Sequence, residues 1–160
     1  MGRETKLGED LRPLGDPGSP GFQVDAYPFY LLNRALSRYN TVIEPELRRI
    51  GIDIPAWRVL MILGEQSPLP IAQVARSAVI NLSTMMRIVE RMAKAGLIQT
   101  APNAQDGRAT DLSLSTKGQD TLLAARAATA PLYRKLIRGI SARDFGKLLG
   151  LLEQLHENLE

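Results

Sequence analysis

The sequence predicts a mainly α-helical fold that carries one small β-hairpin, and three observations favour this fold class. Apolar residues recur at spacings of three and four over most of the chain, as they do on the buried faces of helices. Leu97–Ala101 and Ala109–Leu114 have the length of strands, and Asp106-Gly107 between them favours a tight turn. Residues that commonly cap helices precede three of the helical patterns, namely Asn81, Ser115 and Ser141.

The composition restricts the class of protein. With 160 residues, 44% hydrophobic and 23% charged content, we expect a soluble, cytoplasmic globular chain with no membrane partner. Without cysteine, disulfides and cysteine-ligated zinc are excluded. The net charge of +3 is compatible with a nucleic-acid partner but does not demonstrate one.

Residues 1–24 are predicted to form a flexible N-terminal arm, because five glycines and three prolines cannot build a core. Residues 25–160 are predicted to form a single domain. Its first helix has an apolar stripe, and Pro45 is expected to bend or break that helix. The stripe consists of Phe29, Leu32, Leu36, Tyr39 and Ile43.

The next three helices include a helix-turn-helix pattern. Pro55 lies in the first turn of the second helix, and Pro70 opens a short third helix that ends near Ser77. The β-branched pair Val79 and Ile80 favours an extended connection. The fourth helix is then predicted from Asn81 to Ala95, with Gly96 as its left-handed cap.

The fourth helix has the pattern of a DNA recognition helix. Opposite its apolar face lie Ser83, Thr84, Arg87 and Arg91. Short hydroxyl side chains allow close approach to the major groove, and Arg87 is placed to bind guanine O6 and N7. Arg91 is one turn further along and is expected to contact a phosphate. A solvated helix face is the alternative interpretation.

The hairpin after this helix predicts a β-wing. Arg108 follows Asp106-Gly107 at the tip, where an arginine can enter the minor groove. Asp106 is expected to pair with the Arg108 guanidinium and hold it in place. A surface hairpin with an incidental ion pair is the alternative. A recognition helix followed by a wing predicts a winged helix-turn-helix that binds duplex DNA in two grooves.

Two helices are predicted after the wing. Ser115 caps a long helix that Pro131 should bend, and Ser141 with Asp144 begins the last one. The last helix has a leucine seam that favours pairing with another helix. The seam consists of Phe145, Leu148, Leu152, Leu155 and Leu159.

Together these motifs resemble the MarR family of winged-helix regulators. RIVERMAKAGLI, PNAQDGR and LSLSTKG match the family's helix end, its D-x-R wing and its exit motif in order and spacing, and AWRVL resembles its second helix. The resemblance covers about residues 27–160. Thr100 departs from a frequent family arginine, so one contact to the DNA backbone is in doubt, and Ser115 replaces the usual threonine.

The resemblance implies a homodimer with N- and C-terminal dimerisation helices, over residues 25–50 and 116–160, around a winged-helix lobe at about residues 54–115. It implies a repressor that binds pseudo-palindromic promoter DNA and releases it when a small ligand binds. Ser83, Thr84 and Arg87 match the base-reading helix, and Asp106 and Arg108 match the wing pair. No cofactor is expected.

An effector site is expected between the dimerisation helices and the lobe, as the resemblance implies. The candidate residues combine aromatic rings with arginines, and they are Tyr30, Arg34, Arg38, Tyr39, Trp57 and Met61, with Tyr27 nearby. Such groups suit an aromatic acid, a phenolic compound or an aromatic acyl-CoA. Packing in the core or at the dimer interface is the alternative role.

Three other functions compete with this interpretation. An enzyme is disfavoured, because His156 is the sole histidine and no catalytic or metal-ligand spacing is visible. A DNA-binding regulator that needs no ligand fits the same motifs. A helical dimerisation module without specific DNA readout would explain the leucine seam but not Arg108 at a hairpin tip.

Overall fold

The computed structural model describes residues 10–159. Within them the architecture is mainly helical with one small sheet, which confirms the predicted fold class. The helices are α1 (Arg12–Gly15), α2 (Pro28–Arg49), α3 (Ile54–Glu65), α4 (Ile71–Ser77), α5 (Leu82–Lys94), α6 (Thr116–Leu136) and α7 (Ala142–Glu157). The strands are β1 (Leu69–Pro70), β2 (Ile98–Pro102) and β3 (Thr110–Leu114). No helix in this part of the chain is long and apolar enough to cross a membrane.

The chain divides into two compact units at residue 42, and the first contains α1 and most of α2. Gln23 N–H donates to the Leu14 carbonyl at 2.8 Å, and the Tyr27 ring contacts the rings of Phe22 and Phe29. Residues 10–24 therefore carry local hydrogen-bonded structure. Residues 1–9 of the expected arm lie outside the described residues, and its flexibility stays a prediction.

The second unit has its core around α3. This helix packs against α4, α5, α6 and β3, and Gly64 lets the Leu122 side chain of α6 approach its backbone. The largest fully buried side chains are apolar, as expected for burial that stabilises a fold. They are Ile43, Leu47, Val59, Leu60, Leu63, Val74, Met85, Met92 and Leu112.

The sheet is antiparallel in the order β1-β3-β2, one strand more than the sequence predicts. β2 and β3 form the expected hairpin, with Thr100 opposite Leu112. β1 pairs with the other edge of β3, with Leu69 opposite Leu112. A two-residue strand has no sequence period of its own, so only this tertiary pairing defines it.

Both internal prolines lie within continuous helices, so the break considered at Pro45 does not occur. α2 runs through Pro45 and α6 through Pro131. Each proline lacks one helical N–H donor, a cost that the packing of a long helix can offset. Neighbouring residues also bond within the helix, as Thr129 Oγ1 does to the Ala125 carbonyl at 2.8 Å.

The connection between α4 and α5 differs from the predicted extended backbone. Val79 has φ +55°, in the left-handed region. Its N–H bonds to the Arg76 carbonyl, and Ile80 N–H bonds to the Ala75 carbonyl, both at 3.0 Å. This pair of bonds is the common C-terminal cap of a helix, and its geometry requires a left-handed residue at position 79. The cap overrides the β preference of valine.

Candidate nucleic-acid interface

Helix α5 is the predicted recognition helix, and its N-terminus is capped as the sequence indicates. Asn81 Oδ1 accepts a hydrogen bond from Thr84 N–H at 2.8 Å and another from Ser83 Oγ at 2.8 Å. The apolar face of α5 is buried through Met85, Ile88, Val89 and Met92. The helix is therefore held by its cap and its buried face, with the opposite face exposed.

The other end of α5 is fixed by the first turn of α6. Lys117 Nζ donates to the Ala95 carbonyl at 2.7 Å, and Ser115 Oγ donates to the Gly96 carbonyl at 2.5 Å. Gly118 lies directly against the Leu97 carbonyl, where a Cβ atom would collide. Carbonyls at a helix C-terminus lack helical partners, and these two donors supply them. These two hydrogen bonds were not predicted from the sequence, because they join separate elements of the fold.

The exposed face of α5 presents Ser83, Thr84 and Arg87 to solvent. Within residues 10–159, Arg87 forms no ion pair, so its guanidinium is available to a partner. The structure therefore places these three predicted site residues together on one exposed surface.

Arg91 has a partner within the chain. Its NH2 atom lies 2.6 Å from Asp53 Oδ2, while Asp53 Oδ1 accepts from Ala56 N–H at 2.9 Å and caps α3. Asp53 thus joins α5 to the start of α3. Since both side chains are partly solvated, the pair contributes less than about 1 kcal/mol to stability.

The wing loop between β2 and β3 is organised by asparagine and aspartate side chains. Asn103 Oδ1 accepts from the N–H groups of Gln105 and Asp106, and its amide donates to Asp111 at 2.8 Å. Asp106 Oδ1 accepts from Arg108 N–H at 3.0 Å. The expected pairing of Asp106 with the Arg108 guanidinium is therefore replaced by a backbone bond, which shapes the turn. The Arg108 side chain stays exposed.

The recognition helix and the wing both line a groove of about 650 Å³. α5 contributes Leu82, Met86 and Val89, and the wing contributes Arg108 and Thr110. The structure thus brings Arg108 to the side of α5 that bears exposed apolar residues.

A charged pair lies further along the exposed face of α5. Lys94 Nζ is 2.8 Å from Glu90 Oε1. The hydrogen bond from Lys94 lowers the pKa of Glu90 below its usual value, and Glu90 raises the pKa of Lys94. Both groups therefore stay ionised at neutral pH, with the Glu90 charge offset by its neighbour.

The predicted effector residues occur in both units. On α2, the Arg34 guanidinium carbon lies 5.5 Å from the centre of the Tyr30 ring, and its NH1 atom is 3.8 Å from Asp25. Arg38 on the same helix is exposed and Tyr39 is half-buried.

On α3, Met61 is exposed and Trp57 is 5% exposed. The buried Trp57 Nε1 has no hydrogen-bond partner within residues 10–159. The same part of the chain contains no group of three side chains suited to hold a metal ion.

Comparison with known proteins identifies similar transcriptional regulators. Residues 50–109 match the model of the MarR family. The chain is 35% identical to the HTH-type transcriptional repressor IacR of Pseudomonas putida over 145 residues, which cover 91% of this chain and 87% of that one. It is 26% identical to the homoprotocatechuate degradative operon repressor of Escherichia coli, over 69% of this chain and 75% of that one.

A solved structure shares the fold. A MarR-family transcriptional regulator from Silicibacter pomeroyi superposes with a TM-score of 0.78 at 24% identity, covering 86% of this chain and 93% of that one.

Proposed function

The chain belongs to the MarR family of transcriptional regulators, and we propose that it is a repressor that binds promoter DNA as a homodimer and releases it when an aromatic effector binds. Family and fold indicate a DNA-binding regulator rather than an enzyme. The observation that carries the proposal is the arrangement of α5 beside the wing, with Arg87 and Arg108 both exposed.

In this proposal α5 enters the major groove and the wing enters the adjacent minor groove. Ser83, Thr84 and Arg87 contact base edges and nearby phosphates, because they occupy the exposed N-terminal half of α5. Arg108 supplies the positive charge that a narrow minor groove attracts. Asp106 acts by shaping the turn that presents Arg108.

Arg91 is proposed to contact a phosphate from the side of α5 while it remains paired with Asp53. Their ion pair orients the guanidinium and uses part of its hydrogen-bonding capacity. The contribution of Arg91 to affinity is therefore expected to be smaller than that of Arg87.

The homodimer is supported by apolar surface on the flanking helices. α7 has no buried residue within the single chain, although it carries an apolar seam. Such surface favours burial against a second copy, as helices with an apolar seam do in dimers. Its exposed leucines are Leu148, Leu149, Leu151 and Leu152.

The effector is proposed to be an aromatic acid, a phenolic compound or an aromatic acyl-CoA. One relative is named for the degradation of homoprotocatechuate, an aromatic acid. Tyr30, Arg34, Arg38 and Tyr39 offer rings and cations that suit an aromatic carboxylate. Trp57 offers its unpaired Nε1 donor, and Met61 offers an adaptable apolar contact.

The experiment is fluorescence anisotropy with labelled DNA from the region upstream of the gene, at several salt concentrations. We expect tight binding with a steep salt dependence. Arg87→Ala and Arg108→Ala should each weaken binding about tenfold without lowering the Tm, because both side chains are exposed. Arg12→Ala is the matched control, since Arg12 is an exposed arginine that pairs with Asp10 and lies outside α5, the wing and the proposed dimerisation helices.

A panel of aromatic acids, phenols and acyl-CoA thioesters then tests release. Release by one compound identifies the effector. Specific binding that no compound reverses would leave a ligand-independent regulator. Loss of dimer and DNA binding together in Arg108→Ala would favour a dimerisation module without specific DNA readout.

A further inference from the structure

Helix α5 carries a second exposed row beside its polar one, and this row is apolar. Leu82 is 47% exposed and Met86 is 59% exposed, although the same helix buries four other apolar side chains. Leu82 and Met86 are four residues apart and lie on one face, next to the row formed by Ser83 and Arg87. Two large apolar groups on the exposed side of a short helix contribute little to the fold, so another role is indicated.

Building on the proposed DNA-binding function, we propose that Leu82 and Met86 read the 5-methyl groups of thymines in the major groove. These side chains line the groove between α5 and the wing. Arg108 lines the same groove, Lys94 and Glu90 line it as a pair whose charges offset each other, and the exposed Arg87 follows Met86 in the chain. Exposed apolar side chains with the arginines Arg87 and Arg108 nearby suit duplex DNA better than a wholly apolar partner.

The chemistry of base pairs restricts what an apolar side chain can recognise there. In the major groove most base-edge atoms are hydrogen-bond donors or acceptors, and the thymine C5-methyl is the apolar group. An aliphatic or thioether side chain next to a polar base edge would desolvate that edge without supplying a bond. Leu82 and Met86 therefore favour thymine at the positions they contact, while Arg87 reads a neighbouring base.

Met86 is the more exposed of the two, and its unbranched thioether adapts to an irregular surface. Leu82 is the first residue of α5, directly after the Asn81 cap, which fixes its position. We therefore expect Leu82 to specify one base position sharply and Met86 to tolerate small shifts of the duplex.

The test uses an operator selected from a random duplex library with the full-length protein. Each thymidine of one half-site is replaced in turn by deoxyuridine, which removes the methyl group and keeps base pairing. For the wild type we expect one or two positions where Kd rises about fourfold, the effect of losing one buried methyl group. The other positions should be unaffected.

Variants then assign the effect to these side chains. In Met86→Ala and Leu82→Ala the deoxyuridine effect should fall to less than about 1.5-fold at the position each residue reads. Leu11→Ala, an exposed leucine outside α5, the wing and the proposed dimerisation helices, is the matched control and should keep the wild-type pattern. Circular dichroism confirms that the variants fold.

Specific operator binding that is indifferent to every deoxyuridine would overturn this inference and leave the proposed function intact. Deoxyuridine effects that persist unchanged in both variants would also overturn it, since the methyl groups would be read elsewhere. Failure to select any sequence would contradict the DNA-binding proposal itself.

Discussion

At the scale of single residues, Val79 holds the least favourable backbone conformation in the described chain. The same pair of cap hydrogen bonds ends α2 at Gly51, α4 at Val79 and α5 at Gly96. The φ angles are +83° at Gly51 and +73° at Gly96, against +55° at Val79. A left-handed β-branched residue costs about 1–2 kcal/mol, which glycine avoids. The turn before the recognition helix therefore stores strain.

Val79→Gly is expected to raise the free energy of unfolding by about 1 kcal/mol, because the strain is removed and the 87% exposed side chain loses no packing. Urea unfolding measures the change. Gly51→Val is the converse control, since no atom within 4 Å obstructs its Cβ and only the strain is added. Destabilisation by Val79→Gly would show that the valine side chain makes a stabilising contact.

Asp53 combines two roles that substitution can separate. Asp53→Asn keeps the cap acceptor for Ala56 N–H and removes the ion pair with Arg91, so the loss should be less than about 1 kcal/mol. Asp53→Ala removes both interactions and should cost about 1 kcal/mol more. Chemical unfolding of both variants, alone and combined with Arg91→Ala, checks the prediction. An equal loss in Asn and Ala variants would argue against the cap.

At the scale of elements, α5 is held at both ends by side chains from outside its own turns. Asn81 caps its start, while Lys117 and Ser115 bind the carbonyls that follow its end. The first turn of α6 thus supports the recognition helix directly. A substitution at the start of α6 is therefore expected to affect α5, although it alters no residue on the exposed face of α5.

Gly118→Ala should strongly destabilise the protein, by about 2 kcal/mol or more, because the new Cβ would collide with the backbone carbonyl of Leu97. Thermal unfolding monitored by circular dichroism provides the measurement. Gly146→Ala on α7 is the matched control: with nothing within 4 Å of its Cβ, it should stabilise the helix by about 0.5–1 kcal/mol. Similar effects from both changes would contradict the close approach at Gly118.

Local patterns explain how much of this could be predicted from the sequence. The cap at Asn81 and the left-handed Gly96 depend on neighbouring residues, and the sequence contains their full signal. The sequence also predicts the hairpin, but its strands are joined by residues 103–109, within which Ala109 N–H closes a turn on the Asp106 carbonyl. The pairing of β1 with β3 and the ion pair of Asp53 with Arg91 join residues that are 38 to 43 positions apart in the chain. No local sequence pattern predicts such contacts. At Val79 the hydrogen bonds of the helix cap override the preference of valine for extended backbone.

In the candidate site, too, some features follow from local sequence patterns and others do not. Ser83, Thr84, Arg87 and Arg108 could be selected from helix period and turn chemistry, and the structure places them on exposed surface. The organising role of Asn103 was missed, although an asparagine two residues before a bonded N–H is a known turn signal. Whether these residues contact DNA stays a prediction.

At the scale of the whole molecule, function depends on the proposed second copy. The exposed leucines of α7 would be buried in a dimer, and two recognition helices would then meet successive major grooves. We therefore expect affinity for an operator to be coupled to dimerisation, because one lobe alone would read only one half-site.

Leu152→Arg is expected to weaken the dimer at least tenfold, since it places a charge in the apolar seam of α7. Sedimentation equilibrium measures the dissociation constant. Operator affinity should fall in parallel, and raising the protein concentration should restore it. A fully dimeric Leu152→Arg variant would show that α7 lies outside the interface.

The pairing of β1 with β3 has a consequence for induction. β1 leads directly into α4, the helix before the predicted recognition helix α5, and β3 is a strand of the wing, so main-chain hydrogen bonds join the start of the helix-turn-helix to the wing. In the proposed dimer, we therefore expect a bound effector to change the separation of the two winged-helix lobes more readily than the shape of either lobe. Induction should therefore lower affinity by the same factor for every operator sequence and leave their order of preference unchanged.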